Sequence, residues 1–293
     1  MSAATGVASK LGFGSSSTVD NFLEILNESL RLTRPILYNG GIVGSRSQPS
    51  ERTREGPRSV AGGISCTPSP IELDALLPYI VGGSESVDVF PLAETVPSAY
   101  ITVDRGPKVF TYSGCKVNTA TFSASRGGGF LQLDTNWLGI DESVGNSGTF
   151  PSLSVDVVSQ PYVFTDSDGA VTISSTAYKV DSISISIYNM LEPQWFNSLT
   201  AARINETGRE VTWTLTVPYG DSSAIYGTSV AGVACVATFT NGNRSIAFSS
   251  TKVQFTKESP VVTSRGEVMM QLTGIARKDG STPELVITSD SSG

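Results

Sequence analysis

Two stretches of strict alternation constrain the fold more than anything else in the chain. In Asp181–Tyr188, Ile183, Ile185 and Ile187 fall on one side and Ser182, Ser184 and Ser186 on the other, the period-two pattern of a half-buried strand. Val211–Val217 repeats the pattern, with Trp213 and Leu215 on one side and Thr212, Thr214 and Thr216 on the other. Strands of this kind need a sheet that buries one face and leaves a hydroxyl surface on the other. Such a protein offers shape and polar surface rather than a reactive site, which points to a building block.

The remaining strands are read from apolar runs between turn residues: Ala99–Val103, Val109–Tyr112, Val117–Ala124, Gly129–Leu138, Leu153–Val158, Val171–Ser174, Asp181–Asn189, Arg209–Val217, Val230–Thr240, Arg244–Phe255, Glu267–Ile275 and Leu285–Thr288. Asp168-Gly169 and Asn241-Gly242 are tight-turn signals, the second lying between two apolar runs as in a hairpin. Ser69–Val81 carries the best helix signal. Ser69 is the N-cap, Pro70 the first helical residue, and Glu72 completes a capping box. Leu73, Leu76, Leu77 and Ile80 form its apolar face, Gly82-Gly83 stops it, and Pro78 should weaken its last turn. Val19–Leu32 reads as a short helix passing into a strand. Residues 1–18 read as a flexible arm, followed by a single β-domain over 19–293.

Residues 45–63 stand apart. They hold Arg46, Arg52, Arg54 and Arg58 among serine, proline and glycine, with too little apolar surface to bury. The segment is either a solvated loop or an arm that orders against an acidic neighbour.

The charge balance narrows the function. Across 293 residues, 20 Lys and Arg face 27 Asp and Glu, a net charge of −7, which argues against a nucleic-acid binder that must displace counterions from phosphates. The acidity is concentrated in residues 61–180, with twelve acidic against five basic residues. Charged residues make up 16%, below the ~25% usual in soluble domains; serine, threonine and glycine take their place. Mean hydropathy is +0.02, and no run approaches the ~18 apolar residues of a membrane span, so no membrane partner is expected.

Reactive chemistry finds few footholds. The chain has no histidine, which removes every His-dependent triad, Cys–His pair and His-metal site. Three cysteines, Cys66, Cys115 and Cys235, are far apart and odd in number, giving neither a disulfide framework nor a zinc spacing. Asp141-Glu142 and the pair Asp166 and Asp168 are carboxylates in turn-like surroundings, where solvated loops are the plainer reading. Arg126-Gly-Gly-Gly129 lacks the strand and helix that would make it a nucleotide loop. No catalytic residue, cofactor or metal is expected, and the chain is not read as an enzyme.

Several segments, in order along the chain, resemble the tail tube (major tail) proteins of long-tailed phages, the siphophages. They are Gly62-Gly-Ile-Ser-Cys-Thr-Pro-Ser-Pro-Ile-Glu-Leu73, Phe110-Thr-Tyr-Ser-Gly-Cys-Lys-Val-Asn118, Val180–Asn189, Gly208–Pro218 and Gly266–Ala276. The resemblance implies a mainly β fold, a β-sandwich or barrel with one flanking α-helix and long hairpins. It further implies self-assembly as hexameric rings stacked into a tube for genome passage into the host cell. Implied partners are other copies of the chain, a tape measure protein and tail initiation and terminator proteins, with double-stranded DNA passing through unbound. The setting would be the virion tail, assembled in the host cytoplasm. In that setting Arg46, Arg52, Arg54 and Arg58 are inter-ring contact candidates. A channel that lets DNA pass should avoid basic patches, which makes Asp134, Asp156, Ser182, Ser184 and Ser186 candidates for its lining. Two alternatives stand beside this reading: another virion structural protein (a capsid decoration or baseplate component), which shares the composition but not the ordered motifs, and a β-sandwich binding module, a class that usually carries an aromatic platform, whereas Trp137, Trp195 and Trp213 are scattered along the chain.

Overall fold

A computed structural model describes residues 6–291 apart from 43, 48, 127–128, 147, 154–159, 165–169, 221–230, 257–258 and 263–265. The alternating stretches lie side by side at its centre. Ser182–Tyr188 pairs antiparallel with Glu210–Pro218 on one edge and with Lys108–Ser125 on the other. In register, Ile185 stands opposite both Phe122 and Trp213, and all three side chains are buried. Burial of each such side chain contributes roughly 1.5–3 kcal/mol. The one polar atom this brings inside is satisfied, because the Trp213 indole N–H donates to Ser250 Oγ at 3.0 Å.

Beyond Glu210–Pro218 the sheet continues through Met269–Ala276, Arg244–Phe255 and Val286–Asp290. On the other side it continues from Lys108–Ser125 to Gln132–Gly139 and Ser59–Cys66. The strands close into a barrel around one apolar core. A smaller sheet, ordered Asn21–Leu23, Lys10–Gly14, Ala99–Asp104, Lys108–Ser125 and Asp141–Asn146, shares the long strand with it. The architecture is mainly β with a flanking helix, as the alternation requires.

The expected strands Val109–Tyr112 and Val117–Ala124 are one continuous strand, Lys108–Ser125, that changes sheets midway. Its first half pairs with Ala99–Asp104 and Asp141–Asn146, its second with Gln132–Gly139 and Ser182–Tyr188. The pairing register slips after Tyr112 and again after Val117, and Gly114 between them has φ +61°. This is a bulged corner, where glycine supplies a conformation other residues resist.

That corner lies in Phe110–Asn118, one of the segments that carry the family resemblance, and the structure gives most of its residues a task. Tyr112 Oη donates to the Leu30 carbonyl at 2.9 Å. The Cys115 and Val117 side chains are buried. Lys116 Nζ lies 2.7 Å from Glu206 Oε1, and Asn118 Oδ1 accepts from the Leu191 N–H.

The helix spans Pro70–Val81. Ser69 Oγ accepts from the Glu72 N–H while the Glu72 carboxylate accepts from the Ser69 N–H, and Gly82 ends the helix at φ +87°. It runs through Pro78, whose nitrogen has no hydrogen to donate to the Asp74 carbonyl. Near its end, Asn189 Nδ2 donates to both the Ile80 and Val117 carbonyls at 3.0 Å, tying the helix to the corner strand. Glu72 also accepts from the Glu24 N–H at 2.8 Å.

Glu24 belongs to the stretch expected to begin as a short helix. Val19–Leu32 forms no helix but three short strands, Asn21–Leu23, Asn27–Glu28 and Arg31–Thr33. Its apolar residues fit a helical stripe, yet its backbone pairs with Lys10–Gly14 and Ser59–Cys66 instead. Part of the segment expected as a flexible arm is also a strand. Lys10–Gly14 is paired on both edges, with Leu11 and Phe13 in the core. Five residues rich in glycine are too few to show a period. Leu153 lies outside any strand, and the rest of the expected strand over residues 154–158 lies outside the described residues, as does the Asp168-Gly169 turn.

Candidate functional site

The arginine-rich segment folds as a ribbon rather than a bare loop. Ile36–Tyr38 pairs with Thr53–Glu55, and a short 3-10 turn over Ser50–Arg52 precedes the second strand. All six strand residues are exposed. Residues 59–63, expected as the end of the extended segment, belong instead to the core strand Ser59–Cys66.

The four arginines divide by position. Arg46, Arg52 and Arg54 are exposed on the ribbon and its connecting stretch, and Arg54 Nη1 turns back onto the Glu51 and Thr53 carbonyls. Arg58 sits at the base. Its Nη2 lies 3.1 Å from Glu55 Oε2, and its backbone N–H donates to the Leu199 carbonyl. Arg58 Nε is buried with no hydrogen-bond partner among the described residues.

The lining candidates are brought together, one excepted. Reading across the central sheet, one row of paired residues runs Ser65, Asp134, Thr121, Ser186, Thr212, Ile275. The next row runs Gln132, Ser123, Ser184, Thr214, Thr273, and a third begins Ser125, Ser182, Thr216, Gln271. Asp134, Ser182, Ser184 and Ser186 therefore share one face, the face turned away from Phe122, Ile185 and Trp213. These three rows contain one carboxylate and no lysine or arginine. Thr121 and Ser186 are joined hydroxyl to hydroxyl at 2.9 Å, and Ser65 Oγ donates to Asp134 Oδ1. Gln132 Nε2 also donates to Asp134. Asp156 lies outside the described residues.

Reading the sequence missed the breadth of this face, since only the register shows that five strands place their hydroxyls together. It also missed a second ribbon, Leu191–Gln194 paired with Arg203–Glu206, whose short strands lack an alternating run.

A surface pocket of about 590 Å³ lies beside this second ribbon, lined by residues that include Glu94, Glu206, Arg209, Lys278 and Glu284. Two of its carboxylates are already engaged, Glu206 with Lys116 and Glu284 with Arg209, each at 2.7 Å. Burial alone would raise the Glu206 carboxyl, but Lys116 and the Val96 N–H outweigh it and hold the group below its ordinary value. The cysteines are buried and free, and burial pushes Cys115 and Cys235 up to about 12 and raises Cys66 as well. Asp141 and Glu142 stand at the start of the edge strand Asp141–Asn146, and Asp166 and Asp168 lie outside the described residues. Among the described residues no cluster of three or more metal-binding side chains occurs.

The search of curated proteins returns no match. The family model for phage tail tube proteins matches residues 4–276, a span that takes in the bulged corner, the capped helix, both ribbons and the hydroxyl face. The chain belongs to the phage tail tube protein family.

Proposed function

We propose that this chain polymerises as hexameric rings, stacked head to tail into the tail tube through which the phage genome passes. The observation that carries the reading is the family match over residues 4–276. A broad polar sheet face and an exposed arginine ribbon support it. Heterologous contacts that do not close on themselves generate filaments, and pairing sheet edges between copies removes edges that would otherwise aggregate.

In this reading the Asp134 and Ser182–Ser186 face lines the channel. Its three rows offer DNA phosphates no cation to bind, and the acidic side chain repels them weakly at a distance. Arg46, Arg52 and Arg54 reach an acidic surface of the adjoining ring, with Arg58 holding the ribbon's base. The tube would enclose a tape measure protein, start on initiation proteins and end at a terminator. Assembly would take place in the host cytoplasm. Negative-stain imaging of the purified chain tests the proposal: filaments or rings of uniform bore support it, and lasting monomers oppose it.

A further inference from the structure

The two ribbons meet at one residue. The Trp195 indole N–H donates to the Arg58 carbonyl at 2.9 Å, and the Arg58 N–H donates to the Leu199 carbonyl at 2.6 Å. Arg58 thus links the base of the arginine ribbon to the loop that joins Leu191–Gln194 to Arg203–Glu206. On the base side of the arginine ribbon Ile36 and Leu37 are exposed by 73% and 53%, and across the junction Phe196 and Leu199 are exposed by 66% and 43%. Arg203 lies over the Phe196 ring at 5.7 Å.

A free surface explains this poorly. Two-stranded ribbons are marginal in water by themselves, and apolar side chains gathered in one region mark an interaction surface. The second ribbon buries Leu191 and Ile204 on its strands and Ala201 in its loop, whereas the Phe196 and Leu199 side chains of that loop stay exposed.

We infer that the Trp195–Leu199 tip and the arginine ribbon form one composite docking surface whose occupant is a second copy of this chain. Charge favours that occupant. Residues 36–58 carry four arginines against two glutamates, whereas the whole chain is at −7 with its acidic excess in residues 61–180. The apolar residues would supply the desolvated centre of the contact and the arginines its charged rim. The inference rests on the tube reading and extends it to a ribbon that reading did not use.

The chain carries its own reporter. Trp137 and Trp213 are fully buried, whereas Trp195 is only partly so. Trp195 emission should shift to shorter wavelength as the purified chain assembles, and a Trp195→Phe variant, used as the spectral blank, should lack the shift. Phe196→Ser with Leu199→Ser should keep the parent's melting temperature and circular dichroism while raising the concentration needed for assembly at least tenfold. Assembly without the spectral shift, or a double variant that assembles like the parent, overturns the composite surface and leaves the tube standing. A parent chain that stays monomeric overturns the tube reading and this inference with it.

Discussion

Gly114 sits so close to Ile140 that a β-carbon built on it would lie 2.6 Å from Ile140 Cδ1, at a backbone φ of +61°. Both effects oppose any side chain at the bulged corner. Gly114→Ala should destabilise the fold by about 2–4 kcal/mol, combining left-handed backbone strain with the steric clash. Thermal unfolding checks this, and a melting temperature equal to the parent's would show that the corner tolerates a side chain.

Gly242 gives the contrasting case. Asn241 pairs with Arg244, so the turn residues are Gly242 and Asn243. Gly242 has φ +59° with open space where a β-carbon would go. Gly242→Val should therefore cost only the backbone term, on the order of 1–2 kcal/mol, and less than Gly114→Ala. The reverse order in denaturant titrations would contradict this account of the two glycines.

For assembly, the arginines on the ribbon are the ones to change. Arg52→Ser with Arg54→Ser should leave the monomer's stability within about 0.5 kcal/mol, as expected for exposed positions, yet impair polymerisation. Adding Arg58→Ser also removes the local pair with Glu55, an exposed contact worth about 0–1 kcal/mol. Normal-length tubes from the double variant would remove the arginines from the inter-ring contact.

Acid should weaken the tie between the corner strand and the second ribbon. The Glu206 carboxyl is held below its ordinary value in the fold, so its contribution is present above its unfolded pKa and lost as pH falls through the folded one. Glu206→Gln should cost about 1–3 kcal/mol at neutral pH, because it leaves the half-buried Lys116 ammonium without its counter-charge. The difference between variant and parent should vanish at acid pH; a constant difference across the range would rule out the ion pair as the cause.

Thiol labelling reads the core directly. With Cys115 and Cys235 pushed up to about 12 and Cys66 also raised, almost no thiolate forms near pH 8, and burial blocks access. Maleimide should leave the native chain unmodified over minutes and label all three cysteines in denaturant. Rapid labelling of the folded chain would contradict the burial.

What the sequence made legible follows the range of each signal. Ser182–Tyr188, Glu210–Pro218 and the capped helix are visible because their alternation, their N-cap Ser69 and the stop at Gly82 are local. Lys10–Gly14 stayed hidden because five glycine-rich residues show no period, and their stability comes from partners near residues 21 and 101. Val19, Leu23 and Leu30 mimic a helical stripe while their backbone belongs to distant strands. The arginines were visible as a composition, but the ribbon and its link to Trp195 depend on pairing between residues far apart. The polar face was half legible: Ser182–Ser186 by pattern, its union with Asp134 only by register.

A helical reconstruction of assembled protein tests the central claim most directly. Stacked rings of six copies around an open channel are expected, with Asp134, Ser182, Ser184 and Ser186 facing the bore and no basic patch along it. A purified chain that yields only monomers, or an assembly without a continuous channel, would contradict it.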